Sequence, residues 1–191
     1  MAIARNIEPA TFYLKIANIA ARAGQEHDMI ETTGEALLHG SRQYEVYEIK
    51  GDFYLGRSNL TKALSMYEEA LRYNSRSVVA LSGKGIIFYQ RGDITKAENE
   101  FLKALKIEPQ NDALYNNLGA LYLTSDSLEK AENLFKKSLK KNPNQYEAYY
   151  NLGLIYEKMG KIEDALSMYY KTLQMHPSYV PAQKKVEEFT K

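Results

Sequence analysis

The chain has 191 residues, 26% charged and 45% hydrophobic, with a formal net charge of +1, the balance of an ordinary globular protein rather than a disordered or membrane-embedded one. Charge is even along it: residues 1–95 carry 11 basic and 11 acidic side chains and the remainder 14 and 13, so neither half has the basic excess of a general nucleic-acid binder. There is no Cys, which excludes disulfides, thiolate metal sites and cysteine nucleophiles, and no stretch approaches the roughly 20 apolar residues of a membrane span.

The first segment, 1–43, has the weakest pattern. No apolar run near Arg5 is long enough for a signal peptide, so a cytoplasmic location is expected. Glu8-Pro9 predicts a helix start, and Phe12, Ile16, Ile19, Ala20 and Ala23 recur at helical spacing from Thr11 to Ala23. Gly24 predicts the stop. A second helix is expected from about Asp28 to Leu38, ended by Gly40.

From Tyr44 onward the chain repeats itself every 34 residues. The period is plainest in two copies: Tyr115-x-x-Leu118-Gly119-x-x-Tyr122, Ala131-x-x-x-Phe135 and Pro143, then Tyr149-x-x-Leu152-Gly153-x-x-Tyr156, Ala165-x-x-x-Tyr169 and Pro177. Units 44–77 and 78–111 keep the frame through Gly51, Tyr54, Ala63 and Tyr67 and through Gly85, Phe88, Ala97, Phe101 and Pro109, with Lys50 and Lys84 in place of Leu. Ser138 and Thr172 take the last small position. Residues 180–191 form a single, more polar helix, as expected of the cap that covers the last apolar face of a solenoid.

A period of this length signals stacked supersecondary units. A glycine inside a helical pattern costs about 1 kcal/mol relative to Ala. Gly85, Gly119 and Gly153 therefore imply close approach of a second helix, with Ala63, Ala97, Ala131 and Ala165 as the matching small surface and the aromatics filling the space beside them. The prolines end second helices, since helices usually stop before Pro.

These residues resemble the tetratricopeptide (TPR) repeat family. The resemblance implies an all-α, right-handed solenoid of stacked antiparallel helix pairs, with units 44–77, 78–111, 112–145 and 146–179 and a C-terminal capping helix. On the same frame residues 1–43 place Tyr13, Ala17 and Ala36 at motif positions, but Met29 where a small residue belongs and Thr33 where an aromatic belongs. Two readings stay open for this pair, a degenerate repeat or an end cap.

In the family the first helix of each pair lines a concave groove. The positions so implied include Glu48 and Asp52, then Ile86 and Tyr89, then Asn117 and Leu123, then Tyr150, Asn151, Leu154 and Lys158, and Lys184 on the last helix. Asn117 and Asn151 are one period apart, and an amide both donates to and accepts from an extended backbone. Glu48 and Asp52 stand where the family's C-terminal-carboxylate clamp needs basic residues, which argues against that mode of recognition.

No catalytic constellation emerges. His27, His39 and His176 have no metal-ligand spacing, Gly83-x-Gly85 lies inside a helical pattern rather than after a strand, and Glu68-Glu69 cannot share a helix face. No enzyme activity, cofactor or metal is expected. The run Lys136-Lys137-Ser138-Leu139-Lys140-Lys141 reads as a solvated outer face, the alternative being weak docking to an acidic partner or an anionic membrane.

The function implied is non-enzymatic protein binding by a scaffold, with a monomeric adaptor or chaperone for an extended peptide, and a peripheral membrane-associated assembly factor, as alternatives. Thr11-Phe12-Tyr13 and Arg42-Gln43-Tyr44-x-x-Tyr47-x-x-Lys50-Gly51 are similar to the start of the magnetosome-associated TPR scaffold family. That resemblance implies self-assembly through residues 1–43 and peripheral attachment to an organelle such as the magnetosome. The C-terminus, Val186 to Lys191, departs from that family's hydrophobic tail.

Overall fold

The structure is a computed structural model and describes residues 8–190. Residues 1–7, with Arg5, and Lys191 at the end of the expected cap lie outside the described residues. Eleven α-helices and no strands occur among the described residues, in two compact units, the first running to Ile107 and the second from Glu108.

The first unit contains three helix pairs: α1 (Pro9–Arg22) and α2 (Glu26–Leu38), α3 (Gln43–Gly56) and α4 (Leu60–Tyr73), α5 (Val78–Gln90) and α6 (Ile94–Ile107). First helices form one layer, α1 on α3 and α3 on α5, while α2 and α4 pack against the first helix of the next pair. The second unit repeats the arrangement with α7 (Asp112–Thr124) and α8 (Leu128–Lys141), α9 (Tyr146–Lys158) and α10 (Ile162–Met175), and the lone α11 (Val180–Phe189) packed on α10.

Local chemistry sets the boundaries. Asn59, Ser77 and Asn111 accept hydrogen bonds from the backbone N–H groups of Lys62, Ala80 and Leu114 at 3.1, 2.9 and 3.3 Å, which satisfies donors that an α-helix leaves unpaired at its start. Asn142 and His176 precede prolines and are extended (φ −136° and −135°), so α8 and α10 end there. The turn inside each pair carries one left-handed residue: Gly24, Ser58, Gly92, Asp126 and Gly160, with φ between 56° and 77°. These five are also 34 residues apart. The shared turn places the pair α1–α2 in the frame of the pairs that follow.

The core is a row of rings against bare backbone. Tyr67, Phe101, Phe135 and Tyr169 on the second helices are at most 1% exposed. A Cβ on the helical glycine of the same pair would meet the ring: 2.5 Å at Gly51 on Tyr67, 2.5 Å at Gly85 on Phe101, 3.0 Å at Gly119 on Phe135 and 2.4 Å at Gly153 on Tyr169. The glycines are therefore required by side chains, not by the direct approach of two backbones that the sequence suggests. Tyr67 is enclosed from a second side by Gly83, where a Cβ would lie 2.3 Å from the ring. Fully burying such a ring is worth about 1.5–3 kcal/mol, more than the helix-propensity loss at one glycine.

The N-terminal pair keeps the volume and exchanges the partners. Thr33 replaces the ring, Ala17 replaces the glycine, and Met29 replaces the small residue beside them; all three are fully buried. A second periodic contact lies farther out. Lys62 sits over Tyr54 (4.9 Å), Lys96 over Phe88 (5.6 Å) and Lys130 over Tyr122 (5.1 Å), again 34 residues apart, and each such cation–π contact contributes about 0.5–1 kcal/mol at an exposed site. Asp164 holds this position in the last pair, and Lys161 approaches Tyr156 instead, at 5.9 Å.

The unequal clearances fix opposite outcomes for one substitution. Gly85→Ala should destabilise by about 1–3 kcal/mol through overpacking of a ring that cannot withdraw. Gly119→Ala, with half an ångström more room, should be close to neutral because helix propensity offsets the contact. Urea unfolding of the two variants measures the difference, and equal losses would contradict it.

Candidate functional site

The first-helix layer of each unit carries the residues singled out in the sequence. In the first unit Glu48 and Asp52 stand one turn apart on α3, with Ile86 and Tyr89 on the neighbouring α5. Neither acid is simply a free surface charge. Glu48 Oε1 accepts from the Ser77 hydroxyl at 2.5 Å, and Asp52 Oδ1 accepts from the Tyr67 hydroxyl at 2.6 Å. Burial pushes the Glu48 carboxyl above the usual range, the Ser77 hydroxyl opposing the shift and Asp52 and Glu45 adding to it. Asp52 keeps part of its side chain open to solvent, yet desolvation raises its carboxyl too, against the pull of the Tyr67 hydroxyl and of Arg22. The same contact, with burial, drives the Tyr67 phenol far above its ordinary value.

In the second unit Asn117 and Leu123 lie on α7, Tyr150, Asn151, Leu154 and Lys158 on α9, and Lys184 on α11. The structure separates them by accessibility and partners. Asn117 and Asn151 are half-buried at matching positions of the packed helices α7 and α9. Leu123 and Leu154 are half-buried against the core. Tyr150 packs against Tyr169 and Tyr179, with ring centres 5.7 and 5.2 Å away. Lys158 pairs with Asp126 at 2.8 Å, and Lys184 is exposed. Its neighbour Lys185 makes the stronger contact: Nζ is 2.7 Å from Glu157 Oε1, and Glu157 Oε2 accepts from the Tyr169 hydroxyl at 2.6 Å. This links α9, α10 and α11 across the unit.

The lysine run of α8 is only partly a solvated face. Lys136 pairs with Glu132 at 2.6 Å and lies 6.0 Å from the Tyr156 ring centre. Lys141 donates to Gln110 and lies over Tyr115 at 5.7 Å. Lys137 and Lys140 remain exposed. Among the described residues there is no cluster of three or more metal-ligating side chains, and no helix is long and apolar enough to cross a membrane.

The sequence reading missed the residues that line a cleft between α1 and α3, Arg22 and Arg57 among them. Arg22 could have been found, because it falls on the groove frame when that frame is extended into the first pair. Arg57 recurs one period later as Arg91, while the same position in the other units holds Ala23, Ser125 and Met159.

Antiparallel pairs with a ring-and-glycine core, stacked first helix on first helix, define an α-helical repeat protein. Models of the tetratricopeptide repeat match residues 85–126, 113–145 and 134–167, so residues 85–167 carry tetratricopeptide repeats. No curated protein matches the sequence significantly. Solved structures share the fold at low identity. A chain of the APC/C hetero-tetramer Cut9–Hcn1 is 17% identical with a TM-score of 0.84; the match covers 93% of this chain but only 36% of that one. YrrB, a TPR protein with an unusual peptide-binding site, is 21% identical over 94% of this chain and 92% of its own, with a TM-score of 0.65. MamA from residue 41 onward, from Desulfovibrio magneticus RS-1, is 17% identical over 92% of this chain and 99% of its own, with a TM-score of 0.69.

The raised Glu48 carboxyl sets a pH dependence. The folded state holds this proton more tightly than the unfolded chain, whose value is about 4.3. Its stabilising contribution is fully present below that value and is lost as pH rises through the higher folded one. Glu48→Gln should flatten the fall in Tm between pH 4 and 7, measured by thermal unfolding; an unchanged slope would contradict the assignment.

Proposed function

We propose that this protein is a non-enzymatic scaffold that holds an extended segment of a partner protein along the first-helix layer. The observation that carries the reading is the register of Asn117 and Asn151. Both are half-buried, and they stand one repeat apart on packed helices. Two amides in register can each donate to and accept from the backbone of a strand-like segment. The repeat units 44–77, 78–111, 112–145 and 146–179, with 1–43 ahead of them and 180–191 behind, are the modules from which each compact unit builds a surface of its own. Glu48, Asp52, Ile86 and Tyr89 serve it in the first unit. Leu123, Tyr150, Leu154, Lys158 and Lys184 serve it in the second, the half-buried leucines and Tyr150 as a floor and the lysines as its charged rim. YrrB, of similar fold, has a peptide-binding site of its own, which supports such a role for a solenoid of this kind. Replacing Asn117 and Asn151 together by Ala should weaken capture of the partner segment about tenfold or more with little change in melting temperature. Unchanged capture removes the amide pair from the mechanism.

A second reading rests on a separate observation. Phe12, Ile19, Ile30, Leu37 and Leu38 of α1 and α2 are 39–79% exposed, whereas α11 exposes Val180 together with Lys184, Glu187 and Glu188. An exposed apolar surface of this kind marks an interaction site. The N-terminal pair therefore joins copies of the chain to one another, and such an assembly coats an organelle surface such as the magnetosome, the role that the resemblance of Thr11-Phe12-Tyr13 and the Arg42–Gly51 stretch implies. Light scattering after size exclusion tests it on the full chain and on the double variant Ile19→Glu, Leu38→Glu. These two side chains are the most exposed of the set, so the variant should fold. An assembly that the variant reduces to monomers supports the reading, and a monomeric parent chain overturns it.

A further inference from the structure

We propose that the cleft between the C-terminal end of α1 and α3 is a binding site for a carboxylate. The cleft has a volume of about 390 Å3, lined by Asn18, Arg22, Gly24, Asp52, Phe53 and Arg57 together with small residues, which is the lower range for ligand sites. Its chemistry is unlike the rest of the first-helix layer, because two guanidinium groups meet there.

Arg57 is fixed from two sides. Its guanidinium donates to the Gly24 carbonyl and lies 5.0 Å from the centre of the Phe53 ring. Gly24 is the left-handed residue of the α1–α2 turn, and a Cβ there would fall 2.8 Å from the Arg57 head, so the contact depends on glycine. A guanidinium has five N–H donors in a rigid fork, and the Gly24 contact leaves donors of Arg57 for a ligand. Arg22, the last residue of α1, is exposed, and its charge acts on the Asp52 carboxyl of the same cleft. A pinned and an adaptable guanidinium across one small cleft suit a planar two-oxygen anion.

Asp52 decides which anion. It places one negative charge in the same lining, its Oδ1 held by the Tyr67 hydroxyl. The lining then carries a net charge of +1, from Arg22, Arg57 and Asp52. A monoanionic carboxylate neutralises this, whereas a phosphate dianion would leave excess negative charge beside Asp52. Glu48, one turn away on α3, is engaged by Ser77 and adds to the bias against a dianion.

The carboxylate can come from an acidic side chain of a bound segment, in which case the inference rests on the protein-binding reading, or from a free carboxylic acid, in which case it stands without it. The test uses the full chain and two-dimensional NMR of the arginine Nε–H groups. The probes are butyrate, the blocked peptide acetyl-Gly-Glu-Gly-amide, its Gln counterpart and inorganic phosphate. The expected result is a saturable shift at Arg22 and Arg57 with a carboxylate probe and none with the Gln peptide. Arg22→Gln should weaken the affinity about tenfold or more without lowering the melting temperature. Asp52→Asn, which keeps an acceptor for Tyr67, should tighten it. Saturation by the Glu peptide assigns the site to acidic side chains; saturation by butyrate alone assigns it to a free acid. Non-saturating shifts, an affinity indifferent to Arg22→Gln, or a preference for phosphate overturns the proposal. Because Asn117 and Asn151 lie in the other unit, failure of the amide pair and failure of this cleft are read separately.

Discussion

Every complete pair of this protein depends on an aromatic ring lying flat against helix backbone that carries no side chain. The contact is short-ranged and unforgiving: at Gly51, Gly85 and Gly153 one added carbon would sit within 2.5 Å of a buried ring. It fixes both the rotation of each second helix and its separation from the first. The small residues at Ala63, Ala97, Ala131 and Ala165, all fully buried, then follow as a requirement of that separation. The N-terminal pair shows that the constraint is on volume rather than on identity, since Thr33, Ala17 and Met29 together take the place of ring, glycine and alanine.

Most of this architecture is visible in the sequence because it is periodic. Gly119 and Phe135, or Gly153 and Tyr169, are 16 residues apart in each copy, and periodic spacing survives without any knowledge of three-dimensional contacts. What the spacing does not convey is the identity of the touching atoms. Gly85 reads as room for a neighbouring backbone, and it is room for Phe101. Two further periodic sets went unread for a related reason. Gly24, Ser58, Gly92, Asp126 and Gly160 share a backbone conformation and not a residue type, so composition hides them. Lys62, Lys96 and Lys130 look like surface charge until the rings beneath them are placed.

The candidate site is less legible, because its partners come from non-repeating positions. The groove frame correctly puts Asn117 and Asn151 on adjacent helices, but nothing in the spacing shows that Lys158 is committed to Asp126 or that Lys185, rather than Lys184, reaches Glu157. Arg57 shares its repeat position with Arg91, but its setting depends on the carbonyl of a turn 33 residues earlier. Function in a repeat protein sits in such departures from the repeat, where a pattern search has least to offer.

The two tyrosines that replace phenylalanine in the ring series have a consequence of another kind. The chain has 16 tyrosines and no tryptophan, so its absorbance near 280 nm comes from phenol rings. Tyr67 and Tyr169 each donate to a carboxylate, Asp52 in one unit and Glu157 in the other, and burial beside that charge holds both phenols far above their ordinary value. Both therefore resist ionisation more strongly in the folded unit than in the unfolded chain. In strong alkali the appearance of phenolate absorbance from these two rings is therefore tied to the loss of structure, and each unit carries its own optical marker of that event.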